Sequence, residues 1–275
     1  MIYNKKYKYK TFIPKKKFGQ NFLKDSVIIE KIIKCINPLK NDLLIEVGPG
    51  LGALTIPICN IVDTLNVIDI DVDMLNFLKS KVNFSKINFF LKDVCNFNFL
   101  KFYSNNKKKK IRIFGNLPYN ISTSLLINLT KVNFIIKDMY FMFQREVANR
   151  ILSHPNSKLY GRLSILIQYF FKVKKLFDIS PNSFYPSPKI YSTFLKFSPH
   201  KIFPQFNFDL NILSKITKIA FSRRRKILRN SLKNLFTEEI LLKLNINSKL
   251  RAENLSLKKY CKLTDYLICK DIKNS

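Results

Sequence analysis

The feature that most constrains the fold of this chain is an apolar segment that runs directly into a glycine-rich turn. The segment is Leu43–Val47, and Gly48-Pro49-Gly50-Leu51-Gly52 follows it at once, with a helical pattern from Ala53. A short apolar run of this kind is typical of a buried parallel strand. Alternate glycines let the backbone turn sharply and approach a ligand closely. The order of strand, turn and helix predicts the first unit of an open α/β sheet.

The same alternation of strand and helix patterns continues to about residue 197. Further strand patterns cover residues 65–70, 87–91, 111–115, 139–143 and, as a late strand, 190–197. Residues 209–270 contain neither Pro nor Gly and show the spacing of helices instead. We therefore predict a sheet-containing domain over residues 1–200, of which 1–14 form a basic arm, and a smaller all-helical domain over residues 201–275.

Acidic residues follow the predicted strands at the edge where ligands bind in open α/β sheets. Asp69 lies 17 residues after Gly52, where a carboxylate can accept hydrogen bonds from both hydroxyls of a ribose. Asp93 ends the next strand and can accept from an adenine amino group. The loop reads G-x-G-x-G rather than the G-x-G-x-x-G of pyrophosphate-binding loops, and Glu46 precedes it. Each acid alone could be a helix cap or turn residue, but the set predicts an adenosine site.

The tetrapeptide Asn116-Leu117-Pro118-Tyr119 follows the fourth predicted strand and is the sharpest motif in the chain. The adenine N6 amine is a poor nucleophile because its lone pair is delocalised into the ring. A side-chain amide oxygen and a fixed backbone carbonyl can each accept one of its N–H groups, and proline restricts both itself and Leu117. Tyr119 offers a ring face on which an extruded base can stack. Alone, the tetrapeptide fits an ordinary turn better, but after an adenosine site it predicts methylation of a base.

The net charge of +31 is extreme for a chain with 47% hydrophobic residues. Residues 1–24 contain eight lysines and no acid, and residues 221–234 are basic and also free of acids. On a helix over this second segment, Arg225 and Arg229 would share one face. The clusters predict a polyanionic partner, nucleic acid before an anionic membrane, although a solvated charged surface is the plain alternative.

The other reactive residue types exclude several classes of protein. Five cysteines lie far apart without a C-x-x-C pair, which indicates reduced thiols in a cytoplasmic protein rather than disulfides or a zinc site. His154 and His200, the only histidines, offer almost no material for a catalytic triad or metal cluster, so we expect no metal. No apolar run reaches membrane-spanning length. The basic N-terminus lacks the apolar core of a secretory signal, although residues 1–12 could be an organelle transit segment.

Further motifs lie in order along nearly the whole chain. They are Lys-Phe-Gly-Gln-Asn-Phe-Leu at 17–23, the glycine loop at 46–52, Phe-Gly-Asn-Leu-Pro-Tyr-Asn-Ile-Ser at 114–122, Met-Phe-Gln-Arg-Glu-Val at 142–147, Tyr-Gly-Arg-Leu-Ser at 160–164, Phe-Tyr-Pro-Ser-Pro-Lys-Ile-Tyr-Ser at 184–192, Arg-Arg-Lys-Ile-Leu-Arg-Asn-Ser-Leu at 224–232 and Arg-Ala-Glu-Asn-Leu at 251–255. Through these motifs, residues 15–275 resemble the ribosomal RNA small-subunit adenine dimethyltransferases. The resemblance implies a Rossmann-like class I methyltransferase sheet, a smaller C-terminal all-helical domain that binds RNA or the ribosome, and S-adenosyl-L-methionine as cofactor.

The resemblance also implies roles for individual residues. The cofactor site would be lined by Asn21, Leu23, Gly48, Gly50, Asp69, Asp93 and Asn116. The catalytic residues would be Asn116, Leu117, Pro118 and Tyr119, with Phe184 stacking on the target base opposite Tyr119. RNA would be contacted by Lys15, Lys16, Lys17, Arg223, Arg224, Arg225, Lys226 and Arg229. The chain departs from the family pattern at two positions, with Asp69 in place of Glu and Tyr191 in place of Asp.

The predicted activity is dimethylation of N6 of two adjacent adenosines near the 3′ end of small-subunit ribosomal RNA, in ribosome biogenesis. The enzyme would be a cytoplasmic monomer whose partner is the immature small ribosomal subunit. One alternative is a large-subunit adenine methyltransferase of the antibiotic-resistance type, which residues 251–255 and the long helical tail disfavour. Another is a binding factor in ribosome assembly or transcription, which the intact glycine loop and Asn-Leu-Pro-Tyr disfavour. A membrane-surface protein fits least well.

Overall fold

A computed structural model describes residues 14–15, 18–81, 84–200 and 209–274 of the chain. Lys16, Lys17 and all of the predicted basic arm except Pro14 lie outside the described residues. The segment proposed as an organelle transit sequence, residues 1–12, lies outside them as well.

The strands and helices alternate through most of the chain and give way to helices after residue 209. The strands are β1 (Phe22–Leu23), β2 (Leu43–Val47), β3 (Leu65–Asp69), β4 (Ile87–Leu91), β5 (Ile111–Gly115), β6 (Ile136–Gln144), β7 (Phe171–Ile179), β8 (Phe184–Tyr185) and β9 (Ser192–Pro199). The helices are α1 (Ser26–Ile36), α2 (Thr55–Cys59), α3 (Val72–Lys79), α4 (Phe99–Asn105), α5 (Tyr119–Thr130), α6 (Arg145–Leu152), α7 (Arg162–Phe170), α8 (Leu210–Ser222), α9 (Leu228–Ser231), α10 (Glu238–Lys243) and α11 (Leu257–Asn274). Among the described helices, none is long and apolar enough to cross a membrane.

Within the described residues, seven strands form one sheet in the order β4-β3-β2-β5-β6-β9-β7. The neighbours from β4 to β6 pair in parallel, and β9 pairs antiparallel with β6. Parallel strands bring their carboxyl ends to one edge of the sheet, so the turns that follow β2, β3, β4 and β5 lie side by side. The α/β class and the helical C-terminal part are confirmed. A separate two-stranded antiparallel sheet joins β1 to β8.

Side-chain caps fix the ends of the helices that frame this edge. The carboxylate of Asp25 accepts from the N–H groups of Val27 and Ile28 at the start of α1, and Asn37 ends that helix with a left-handed φ of 46°. Asp71 caps α3 by accepting from the N–H of Asp73. Such caps satisfy N–H groups that have no partner inside a helix, and they fix where the chain turns after each strand.

The described chain forms two compact units that divide near the predicted boundary at residue 200, but Glu146–Val173 belong to the second unit rather than the first. One unit takes the residues up to Arg145 together with Lys174–Pro199, and the other takes Glu146–Val173 and the residues from His200 onward. In the second unit, α7 packs against α8 and α11. Almost every side chain of α7 is buried. An apolar helix of this kind carries no periodic signal that says which neighbour it packs on, so the sequence could not assign it.

One local prediction is wrong, because the basic segment at 221–234 is not a continuous helix. Helix α8 ends at Ser222, and Ile227 forms an isolated antiparallel bridge with Arg251. The N–H groups of Leu228 and Arg229 then donate to carbonyls in the 248–250 turn, at 2.8 and 3.1 Å. Arg225 and Arg229 therefore do not share a helical face. The bridge across to residue 251, which no local pattern reveals, is the cause.

Candidate active site

A cleft opens at the carboxyl edge of the parallel strands. Its walls come from the turns after β2, β3, β4 and β5 and from residues 18–23 of the N-terminal segment. The structure brings the seven residues predicted for the cofactor site together in the lining of this cleft: Asn21, Leu23, Gly48, Gly50, Asp69, Asp93 and Asn116. Leu117, Pro118 and Tyr119 line it as well. Residues from five separate segments thus meet at one place.

The glycine loop after β2 adopts a backbone that side chains rarely allow. Gly48, Gly50 and Gly52 have φ values of 67°, 53° and 86°, in the left-handed region. At Gly50 an added Cβ would also lie 2.9 Å from Cδ1 of Phe22, whose ring packs on the loop from β1. The loop therefore needs glycine both for its conformation and for its close contact with the N-terminal segment.

The acids after β3 and β4 both cap the next turn and face the cleft. Asp69 Oδ1 accepts from the N–H of Asp71 at 2.8 Å, and Asp93 Oδ1 accepts from the N–H of Cys95 at 2.9 Å. Burial, and secondarily the negative charge of Asp71, raise the pKa of Asp69 from 3.8 to about 6. The capping role and the ligand-facing role considered from the sequence are thus compatible, since each carboxylate has further lone pairs to offer.

The N-terminal segment is fastened beside the Asp69 turn by four residues that we call the clasp: Lys15, Gln20, Asp71 and Asp73. Lys15 Nζ lies 2.6 Å from Asp71 Oδ1 and 2.6 Å from Asp73 Oδ2. Gln20 Nε2 donates to Asp71 Oδ2 at 2.8 Å, while Gln20 Oε1 accepts from the backbone N–H of Lys15 at 2.9 Å. Burial opposes ionisation of Asp71, but hydrogen bonds from Lys15 and Gln20 outweigh it and lower the pKa of this carboxyl. Lys15, predicted to contact RNA, is therefore occupied by two carboxylates.

Glu46 lies beneath the glycine loop and is 2% exposed. Its Oε2 has no hydrogen-bond partner among the described residues. Burial, and secondarily the charge of Asp69, raise its pKa to about 8. An unsatisfied buried polar atom costs about 1–3 kcal/mol, so a ligand with a polar group that reaches it would be favoured. With carboxylates after β3 and β4 and apolar side chains such as Met74 and Val94 in the lining, these residues fit the amino, ribose and adenine parts of S-adenosylmethionine.

The side chain of Asn116 is held in a defined orientation. Its Nδ2 donates to the backbone carbonyl of Asn21 at 2.7 Å. A carbonyl can only accept, so the Nδ2 end of the amide must face Asn21 and the Oδ1 end must face away. Oδ1 accepts no hydrogen bond from the described residues. Asn116 therefore presents an acceptor to the cleft, and the N-terminal segment fixes its direction.

Tyr119 is tethered through its hydroxyl to strand β9. The hydroxyl lies 2.5 Å from Ser192 Oγ, and burial raises the pKa of Tyr119 above its ordinary value. A phenol held neutral and hydrogen-bonded in this way fixes the position of its ring. The arrangement suits a stacking role better than a proton-transfer role. Ser192 was not predicted as a site residue, and the nearby Phe-x-Pro-x-Pro pattern was its only signal.

Phe184 is not brought to the cleft. Strand β8 pairs with β1 so that Phe184 lies opposite Leu23, and Phe184 is 1% exposed within the hydrophobic core. Its cross-strand partner Leu23 does line the cleft, as does Phe22 on the other face, but Phe184 is not among the lining residues. The stacking of Phe184 on a base opposite Tyr119 therefore stays a prediction, and in this structure the ring is buried. The two-residue pairing with β1 sets which side each ring takes.

The basic residues predicted to contact RNA in the second unit differ in whether their side chains already have partners within the protein. Arg223, Arg225, Lys226 and Arg229 are exposed. Arg224 instead donates from Nε to Glu253 Oε2 at 2.8 Å and from its terminal nitrogen to the carbonyls of Lys158 and Tyr160. Arg224 therefore connects three parts of its own unit. Arg229 lies 3.9 Å from Glu238 Oε2 in an exposed ion pair, and Arg223, Arg225 and Lys226 present their charge to solvent.

The open sheet with a glycine loop, strand-end carboxylates and an Asn-Leu-Pro-Tyr turn defines a Rossmann-like class I methyltransferase that uses S-adenosylmethionine. A family model described as ribosomal RNA adenine dimethylase matches residues 12–268. The chain belongs to this family.

Individual relatives agree with the family match. The ribosomal RNA small subunit methyltransferase A of Buchnera aphidicola subsp. Schizaphis graminum is 53% identical over 267 residues, which cover 97% of either chain. The protein of the same name from Enterobacter sp. strain 638 is 43% identical over 93% of each. Among solved structures, a dimethyladenosine transferase from Plasmodium falciparum matches 92% of this chain and 98% of its own, with a TM-score of 0.77 and 25% identity. The 23S rRNA methyltransferase ErmE, at TM-score 0.67 and 18% identity, shares the fold.

Proposed function

We propose that this enzyme transfers methyl groups from S-adenosylmethionine to N6 of two adjacent adenosines near the 3′ end of small-subunit ribosomal RNA, two groups to each. The observation that carries the proposal is the oriented amide of Asn116 in a cleft lined by the residues of an adenosine site. The relatives that share 43–53% identity bear the small-subunit name, so neither the large-subunit alternative nor a purely binding role is favoured.

The cofactor, when bound, supplies a methyl group already activated on a sulfonium. The protein's task is then chiefly to position the two reactants. In the proposal, Asp69 accepts from the ribose hydroxyls and Asp93 from the adenine amino group, while Asn21, Leu23, Gly48 and Gly50 complete the walls. These assignments rest on the joint placement of the side chains in the cleft.

On the substrate side, Asn116 Oδ1 and the Leu117 carbonyl each accept one N–H of the target amine. Pro118, which begins the turn into α5 with φ of −54°, holds that carbonyl in place. Two accepted hydrogen bonds draw the amine away from conjugation with the ring and free its lone pair for attack. The Tyr119 ring supports the extruded base, whose removal from its stack costs a few kcal/mol that the new contacts must offset.

We further propose that the enzyme acts as a cytoplasmic monomer on the immature small subunit. The second unit, with Arg223, Arg225, Lys226 and Arg229, would contact ribosomal RNA. The support is the net charge of +31 and the exposure of these four side chains. Lys16 and Lys17 stay in the proposal on the strength of the sequence alone.

The test is to incubate the protein with labelled cofactor and unmethylated small subunits, and to map the product by mass spectrometry. We expect N6,N6-dimethyladenosine at two adjacent positions near the 3′ end. Large subunits and DNA in parallel reactions serve as controls. Label confined to large-subunit RNA, or to DNA, would overturn the substrate assignment.

A further inference from the structure

A pair of side chains beside the catalytic turn takes no part in the proposed chemistry. Arg145 follows the last residue of β6, and Tyr191 precedes the first residue of β9. The two strands end their ladder at the pair Gln144 and Ser192. Just beyond it, the N–H of Arg145 donates to the carbonyl of Tyr191 at 2.9 Å. Backbone pairing thus fixes both residues at the open end of the sheet.

The two side chains stack on each other and remain accessible. Cζ of Arg145 lies 5.1 Å from the centroid of the Tyr191 ring. Tyr191 is 45% exposed, and Ile190 before it is 41% exposed. Within the described part of the chain, Arg145 forms no ion pair with a carboxylate. A guanidinium on one side of an exposed aromatic ring therefore leaves both a ring surface and a set of N–H donors for a ligand.

This pair is directly connected to the base-binding side of the cleft. Ser192, whose Oγ lies 2.5 Å from the Tyr119 hydroxyl, is the next residue after Tyr191. Neighbouring Cα atoms are about 3.8 Å apart, so Tyr191 stands one residue from the tether of the ring that would hold the target base. A nucleotide joined to the target would emerge close to it.

We propose that Arg145 and Tyr191 form a platform for the nucleotide next to the target adenosine, with that base stacked on Tyr191 and its phosphate contacted by Arg145. The inference rests on the proposed function, since it presumes an RNA substrate with an extruded adenosine. Single-stranded bases stack on aromatic rings and on guanidinium planes, and arginine pairs well with phosphate. Tyr191 itself carries no charge that would repel the phosphate.

The experiment compares steady-state methylation of small subunits by the full-length protein and its variants. Tyr191→Ala should raise KM for small subunits about tenfold, in line with the loss of one stacked base. Tyr191→Phe keeps the ring and should restore the wild-type KM. KM for S-adenosylmethionine should be unchanged in both variants. A general loss of structure would instead change KM for both substrates.

The role of Arg145 is tested through the salt dependence of binding. Arg145→Ala should lower the slope of log K against log salt by about 0.7 to 0.9, the effect of one phosphate contact, whereas Tyr191→Ala should leave the slope unchanged. Lys31→Ala is the matched control, because this substitution also removes one positive charge that stacks on an aromatic ring. Lys31 Nζ lies 4.2 Å from the centroid of the Phe177 ring, away from the cleft. Its slope and KM should stay at the wild-type values.

The possible failures can be told apart. If the wild-type protein does not methylate small subunits, the proposed function fails. If it does, but Tyr191→Ala keeps the wild-type KM for small subunits and Arg145→Ala keeps the wild-type salt slope, the platform alone is wrong. Should Arg145→Ala not fold, Arg145→Lys and the two Tyr191 variants still decide the question through the same KM measurement.

Discussion

The ionised carboxylate of Asp69 is unfavourable for folding but is the form that would bind a ligand. Its carboxyl faces the cleft at the end of β3 and has a pKa of about 6, above the ordinary 3.8. Ionisation therefore opposes folding: the favourable contribution of the protonated form is complete below about pH 3.8 and is lost as the pH rises through about 6. At neutral pH the buried carboxyl of Asp69 is ionised, and hydrogen bonds from the hydroxyl groups of a ligand would offset the cost of burying this charge.

Replacing Asp69 tests this reading. We expect Asp69→Asn to weaken binding of S-adenosylmethionine by about tenfold or more, as for the loss of hydrogen bonds to a charged acceptor. The melting temperature without cofactor should not fall, since the variant removes an unfavourable charge. Calorimetric titration and thermal unfolding at pH 7 measure the two effects.

The pH dependence of cofactor binding provides a second test of Asp69. Affinity of the wild-type protein should decline as the pH falls below about 6, where the carboxyl of Asp69 becomes protonated, whereas Glu46, with a pKa of about 8, titrates above this range. Asp69→Asn should lack this decline. An affinity that stays flat from pH 5 to pH 8 in the wild type would contradict the assignment of Asp69 to the ribose.

For single residues, the sequence predicted which side chains lie in the same cleft, but it did not predict their individual hydrogen bonds and packing partners. Asp69, Asp93 and Asn116 could be placed in one cleft because strand ends in a parallel sheet share an edge. The direction of the Asn116 amide could not be predicted, since it depends on a carbonyl 95 residues away. The burial of the Phe184 ring could not be predicted for a similar reason, since Phe184 pairs with Leu23 across the small sheet.

At the scale of secondary-structure elements, the clasp joins the N-terminal segment to the turn between β3 and α3. We expect Lys15→Met to raise KM for S-adenosylmethionine severalfold, since residues 18–23 line the cleft and would lose an anchor. KM for small subunits and its salt dependence should be unchanged. The reverse pattern would show that Lys15 contacts RNA, as the sequence alone suggested.

A buried network at the opposite side of the sheet links three elements. Arg112 on β5 bonds Asp138 on β6 at 2.7 and 3.0 Å and Asp42, just before β2, at 2.6 Å. It also donates to the carbonyls of Ile36 and Asn37 at the end of α1. The side chains of the arginine and both aspartates are almost fully buried.

Breaking this network should cost much of the molecule's stability. Arg112→Met is expected to lower the free energy of unfolding by about 3–5 kcal/mol, because two buried carboxylates lose the buried arginine that each of them contacts. Lys137→Met is the matched control, since Lys137 pairs with the same Asp42 at 3.0 Å but is half-exposed. The control should cost less than about 1 kcal/mol. Equal losses in urea unfolding would contradict the account.

Elements that depend on distant partners were the ones that sequence patterns missed. Strands β2 to β5 follow from apolar runs, but β7 alternates with lysines and gave no clear signal. Strands β1 and β8 are two residues long and exist only because they pair with each other. The turn at 223–226 interrupts a sequence with good helical spacing, because Ile227 bridges to Arg251.

For the whole molecule, the net charge of +31 predicts strongly salt-dependent RNA binding. Replacing Arg223, Arg225 and Lys226 together by Ala should reduce the slope of log K against log salt by about 2 to 3, at about 0.7 to 0.9 per phosphate contact. Filter binding to small subunits between low and physiological salt measures the slope.

A second triple variant that removes the same charge distinguishes direct contacts with RNA phosphates from the effect of the overall positive charge. Lys108, Lys109 and Lys110 lie in a surface turn after α4, and their joint replacement by Ala removes the same three charges. The slope should then change little. Equal effects of the two triple variants would mean that the 223–226 turn makes no particular contact with RNA.

The central claim is that Asn116 to Tyr119 form the methyl-transfer centre of a small-subunit RNA adenine dimethyltransferase. The most direct measurement is single-turnover methylation of small subunits by Asn116→Ala, with cofactor and subunit binding determined on the same preparation. We predict that methyl transfer is nearly abolished while binding of small subunits stays close to wild type, because the lost acceptor acts on the target amine. Transfer at the wild-type rate by this variant would contradict the account.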